Sequence, residues 1–155
     1  MMERNVDEVM ERCHDAQILP VKMYASADRL TVAAPMPGLE PDDICIEVTP
    51  GNQLVLYGSA RGSLKNENLV HADEWNPGPY CRELTLPSRV DGSLANVTYR
   101  NGILVVVLPI AEEVGPAHLG LRAVGLDYGE RVGNAGHPVH PVSSPEHLAR
   151  HQHRG

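Results

Sequence analysis

The sequence predicts an all-β fold, an antiparallel β-sandwich, and three observations carry that expectation. Asn101-Gly102 lies between two β-prone runs, and the tightest hairpin turn needs positive φ at both central residues, which Asn and Gly tolerate. Ile103–Leu108 is β-branched at four of six positions and stops at Pro109, which cannot donate to a ladder. Strand-like runs recur between turn signals at intervals of roughly 8–12 residues, with no helical period separating them.

The elements follow in order. Residues 1–20 form a short charged arm in which Val6, Val9, Met10 and Cys13 share one face of a helical spacing. Val21–Ala25 alternates and ends at Ser26-Ala27-Asp28-Arg29, and Leu30–Ala34 runs to Pro35-Met36-Pro37-Gly38. In Ile44–Val48 the residues Ile44, Ile46 and Val48 share one face, with Cys45 and Glu47 on the other. Pro50-Gly51-Asn52 turns the chain into Leu54–Gly58, and Tyr80–Leu86 is stopped by Pro87. The pair around Asn101-Gly102 closes the series, its second strand buried on both faces. Residues 59–79 break the rhythm with a long polar connection holding one strand-like piece, Leu69–Trp75; a loop of this length in a compact domain is usually functional or disordered. Residues 112–155 carry six of the eight histidines and Tyr128 as their only aromatic, so they read as a flexible extension.

Composition excludes several functions. A net charge of -7 argues against a groove that tracks phosphates, so no nucleic acid partner is expected. The longest apolar run is far short of the ~20 residues that span a bilayer, and the opening is charged where a secretion signal would be apolar. Cytoplasmic location and no membrane partner are the expectations. Cys13, Cys45 and Cys81 are widely spaced and odd in number, which suits reduced thiols.

No constellation supports an enzyme, a cofactor or a metal centre. Asp42-Asp43 and Glu112-Glu113 are adjacent acids that point different ways, and they read as a turn and a solvated strand exit. His137-Pro138-Val139-His140 has its pairing geometry broken by proline, and with His147, His151 and His153 it reads as a solvated stretch. Cys45 and Cys81 fall on the face opposite the apolar alternation, where partial exposure is expected, without a basic neighbour in sequence to activate them. No Walker-type loop suggests nucleotide use.

Three pieces carry a resemblance: Pro37-Gly38 leading to Pro41-Asp42-Asp43-Ile44, then Gly78–Pro87, then Asn101-Gly102-Ile103-Leu104 followed by Leu108-Pro109. In this order they resemble the α-crystallin domain of the small heat shock proteins, in the bacterial and plant style. Val97 and Ile103 stand where the family's Ala-x-x-x-Asn-Gly-Val-Leu signature has alanine and valine. The resemblance implies an immunoglobulin-like antiparallel sandwich over residues 21–111. It implies a dimer in which Leu69, Val70 and Trp75 meet the edge strand bearing Val21 and Met23 of a second subunit, with Arg82 at the interface. It also implies a tail anchor, Leu119-Gly120-Leu121, behind Glu112-Glu113-Val114-Gly115-Pro116. Leu119 and Leu121 would dock in a neighbour's groove lined by Ile44, Ile46, Val48, Val97 and Tyr99.

The implied function is an ATP-independent holdase that binds partly unfolded proteins, built from homodimers into a larger homo-oligomer. Unpaired strand edges template the addition of another chain, and an exposed apolar groove binds unfolded chains by mass action. A second reading, an adaptor that scaffolds one dedicated partner, is favoured by the short arm and by the absence of any phenylalanine.

Overall fold

The computed structural model describes residues 17–59, 71–72, 74, 79–125 and 128–134. The expected arm helix and the 69–75 strand-like piece lie outside this set, apart from His71, Ala72 and Glu74, as do the histidines from 137 onward.

Eleven strands are described: β1 (Gln17–Ile18), β2 (Lys22–Ala25), β3 (Arg29–Pro35), β4 (Ile44–Val48), β5 (Gln53–Gly58), β6 (Tyr80–Thr85), β7 (Asn96–Arg100), β8 (Ile103–Pro109), β9 (Ala117–Leu119), β10 (Arg122–Gly125) and β11 (Tyr128–Arg131). They form two sheets, in the orders β1-β6-β5-β4-β9 and β10-β11-β7-β8-β3-β2. Every pairing is antiparallel except the short parallel contact of β1 with β6.

Alternation decides what each strand buries. Ile44, Ile46 and Val48 of β4, Leu54 and Leu56 of β5, and Leu104, Val106 and Leu108 of β8 meet in one core between the sheets. The opposite faces of β4 and β8 are covered as well: Cys45 joins Val55, Tyr57 and Cys81, while Val105 joins Val107. Asn101 at φ 55° and Gly102 at φ 80° form the hairpin turn that the Asn-Gly pair demands. Tyr99 ties this core to the β3–β4 connection: its hydroxyl donates to Met36 O at 2.7 Å and accepts from Leu39 N at 3.3 Å.

Three expectations need correction. Cys45 and Cys81 are buried rather than partly exposed, because the outer face of the first sheet is itself covered. Cys81 is disulfide-bonded, against the expectation of reduced thiols, while Cys45 keeps its thiol. In the stretch read as a flexible extension, residues 117–131 hold three strands. Their apolar content is low. They are held by the ladders of β4 and β7 and by polar contacts described below.

Candidate functional site

The functional geometry of this sandwich lies at its edges, where backbone N–H and C=O groups need partners. Without the C-terminal strands, β4 would end one sheet and β7 the other, and the groove between them would expose the apolar core. The chain closes this groove on itself. β9 adds to β4 with Leu119 opposite Ile46, His118 opposite Glu47 and Ala117 opposite Val48. β11 adds to β7 from Tyr128 opposite Arg100 to Arg131 opposite Val97.

Leu119 is the plug, 2% exposed and part of the same core as Ile44, Ile46, Val48, Val97 and Tyr99, all of them buried. Leu121 is half-buried against that core. The anchor expected to reach a neighbouring subunit is therefore seated in its own chain. The connection allows it: Gly115 N donates to Val90 O, and Gly92 N donates to Gly115 O, which turns residues 112–116 back along the sandwich.

Polar contacts secure the second cover. Arg131 donates to Ala95 O at 2.6 Å and to Ser93 O at 3.2 Å, and Asn134 N donates to Leu94 O. The Arg100 guanidinium lies 5.2 Å from the centre of the Tyr128 ring, and the Tyr128 hydroxyl donates to Glu130. Burial, helped by the Glu130 carboxylate, holds the Tyr128 hydroxyl above its ordinary value. Gly129 is required here, since a Cβ would lie 2.4 Å from the Pro41 ring. Sequence reasoning missed this cover because Tyr128-Gly129-Glu130-Arg131 has neither apolar alternation nor β-branched residues.

Among the described residues a different edge stays open. β2 is terminal in its sheet and mostly exposed, with Tyr24 54% exposed. Beside it lies an apolar cavity of about 480 Å³ lined by Pro20, Val21, Lys22, Ala33, Ala34, Pro35 and Ile103. Met23 is half-buried on β2, while Leu69, Val70 and Trp75 lie outside the described residues. Arg82 is half-buried on β6 and donates to Leu19 O at 2.8 Å, so within one chain its charge already has a carbonyl partner.

The described residues thus make two sandwiched sheets with a closed groove between β4 and β7 and an unclosed β2 edge. Residues 22–118 match the Hsp20/alpha crystallin family, and the chain belongs to that family. Among curated relatives, heat shock protein 16 of Schizosaccharomyces pombe is 25% identical over 96 residues, covering 60% of this chain and 66% of that protein. Spore protein SP21 of Stigmatella aurantiaca is 29% identical over 100 residues, covering 64% of this chain and 59% of that protein. The matches thus span about two thirds of these relatives or less. The crystal structure of hspA from Xanthomonas axonopodis superposes with a TM-score of 0.54 at 21% identity, covering 63% of this chain and 98% of that one. This likeness shows the fold. The family is that of the small heat shock chaperones. Among the described residues no helix is long and apolar enough to cross a membrane.

Proposed function

We propose that this chain is an ATP-independent holdase of the cytoplasm that captures partly unfolded proteins in the groove between β4 and β7. The observation that carries this reading is Leu119, buried in that groove by a strand from the chain's own C-terminal region. A three-residue strand is a weak cover, because ordering each residue costs about 1–2 kcal/mol while one leucine returns about 1.5–3 kcal/mol. Such a cover opens on heating, when clients begin to unfold, and exposes two strand edges together with an apolar slot.

The assembly in this reading is a homodimer made through the β2 edge, with Leu69, Val70 and Trp75 of one subunit against Val21 and Met23 of the other and Arg82 at the contact. Larger homo-oligomers form when β9 is exchanged between subunits in place of its own-chain seat. Nucleic acid and membrane have no place in it. The supports are the open β2 edge, the apolar cavity next to it and the net charge of -7.

The test is light scattering of a heat-labile client with increasing ratios of this protein and no nucleotide. Near-stoichiometric suppression, reached at lower temperature by Leu119→Ala, is the expected result. Identical aggregation at every ratio and temperature would overturn the holdase reading and leave the dedicated adaptor.

A further inference from the structure

On the outer face of the groove's cover, three donors of different chemistry come together from two strands. Cys45 and Glu47 lie two residues apart on β4 and so point to the same face, and His118 enters between them because β9 pairs with β4 in the register Glu47 to His118. Cys45 Sγ stands 3.7 Å from His118 Nε2, and His118 Nδ1 stands 3.5 Å from Glu47 Oε1. One sulfur, one ring nitrogen and one carboxylate oxygen fall within 4.8 Å of one another.

The spacing of Cys45 Sγ from Nε2 suits a tetrahedral ion held at that nitrogen, whereas the Glu47 contact is with the other ring nitrogen and the carboxylate joins the set through the 4.8 Å grouping of one donor atom from each residue. Bonds of about 2.3 Å to sulfur and about 2.0–2.1 Å to nitrogen put the two donors roughly 3.5 Å apart, close to what is seen. The donor set discriminates between metals: thiolate and imidazole favour zinc-class ions, whereas magnesium and calcium need oxygen cages. Access is open on one side only, since the His118 side chain is 44% exposed while that of Glu47 is 10% exposed.

We propose that Cys45, Glu47 and His118 form a zinc-class binding site whose ion latches the C-terminal strand β9 onto β4. The thiol proton passes to solvent as the metal–sulfur bond forms, and a water fills the fourth position. His118 is the one ligand carried by β9, so binding ties the seating of Leu119 to metal. The cover of the groove then tightens with zinc and loosens with a chelator.

The full chain, in buffer free of added thiol, is titrated with Co²⁺ as the spectroscopic probe. A near-ultraviolet thiolate-to-cobalt band reaching one equivalent is expected, displaced by Zn²⁺ and unaffected by Mg²⁺. The band should vanish in C45S and in H118A, and Glu47→Gln should weaken affinity about ten- to hundredfold. Zn²⁺ should also slow hydrogen exchange in residues 117–119 of the wild type and leave H118A unchanged. His118→Ala sits at a half-exposed position and keeps the sandwich, so it remains decisive should Cys45→Ser fail to fold. A visible cobalt spectrum lacking the thiolate band would assign binding to the remaining histidines and overturn the site. A band that survives in C45S or in H118A would overturn it equally.

Discussion

Leu119→Ala separates a groove closed by its own chain from one that is merely adjacent to it. The leucine is 2% exposed and shares the core with Ile46, its partner across the β4–β9 ladder. Truncating a buried leucine costs about 2–5 kcal/mol, and the lower part of that range applies at a sheet edge, where the site can collapse. A loss of about 2–3 kcal/mol multiplies the undocked population of β9 roughly 30- to 150-fold. Because β9 lies outside the central ladders, the cost falls on local opening and leaves global unfolding nearly unchanged. The assay is peptide-resolved hydrogen exchange. Residues 117–119 and the β9-facing amides of β4 should exchange faster by about that factor, with residues 103–109 unaltered. Unchanged exchange across 117–119 in a folded variant would refute the reasoning and shift the closure to β11.

Three further outcomes follow from specific contacts. Gly129→Ala should unseat β10 and β11, since a Cβ there meets the Pro41 ring at 2.4 Å; faster exchange over residues 96–100 with unchanged circular dichroism is the check. Tyr99→Phe should cost about 1–3 kcal/mol in denaturant unfolding, because Met36 O and Leu39 N both lose a buried partner. At alkaline pH, Tyr80 and Tyr128 should act together. Burial raises both hydroxyls above the ordinary value of 10.0, and Tyr80 donates to Pro37 O. Their folded-state value exceeds the unfolded one, so the stability they contribute is complete below about pH 10 and is lost as pH rises through the raised value. Tyrosinate absorbance alongside thermal melts tests this, and Tyr80→Phe should flatten the decline.

The sandwich was legible because β4 alternates with period two while the β8 run is apolar throughout and bounded by turn signals. Ile44, Ile46 and Val48 point inward, the Asn101-Gly102 turn takes positive φ, and the β8 run is buried on both faces as its unbroken apolar character requires. The closure was not legible. The family resemblance makes Leu119-Gly120-Leu121 an expected anchor, but nothing local says whose groove it fills, since the same ladder forms within one chain or between two. β11 is formed by partner edges and by Arg131, which are long-range causes. The Cys45, Glu47 and His118 group was hidden for a similar reason: Glu47 and His118 are 71 positions apart, and only the β4–β9 register joins them.

Covering both lips of one groove with one extension makes the two contacts interdependent. β9 and β11 are joined through residues 120–127, so freeing Leu119 lowers the cost of lifting β11, and seating β11 holds β9 near its ladder at high effective concentration. In the proposed holdase, a client strand that competes for β4 must displace a tethered rival. This penalises weak or folded intruders and admits chains that offer both an extended backbone and apolar side chains. Unfolded proteins offer both. The exposed β2 edge has no such cover among the described residues: Lys22 stands at its start and the apolar cavity lies beside it, a combination that suits one self-complementary partner rather than open-ended pairing. In the proposed function the two edges divide the work, with β2 building the assembly and the groove between β4 and β7 receiving the client.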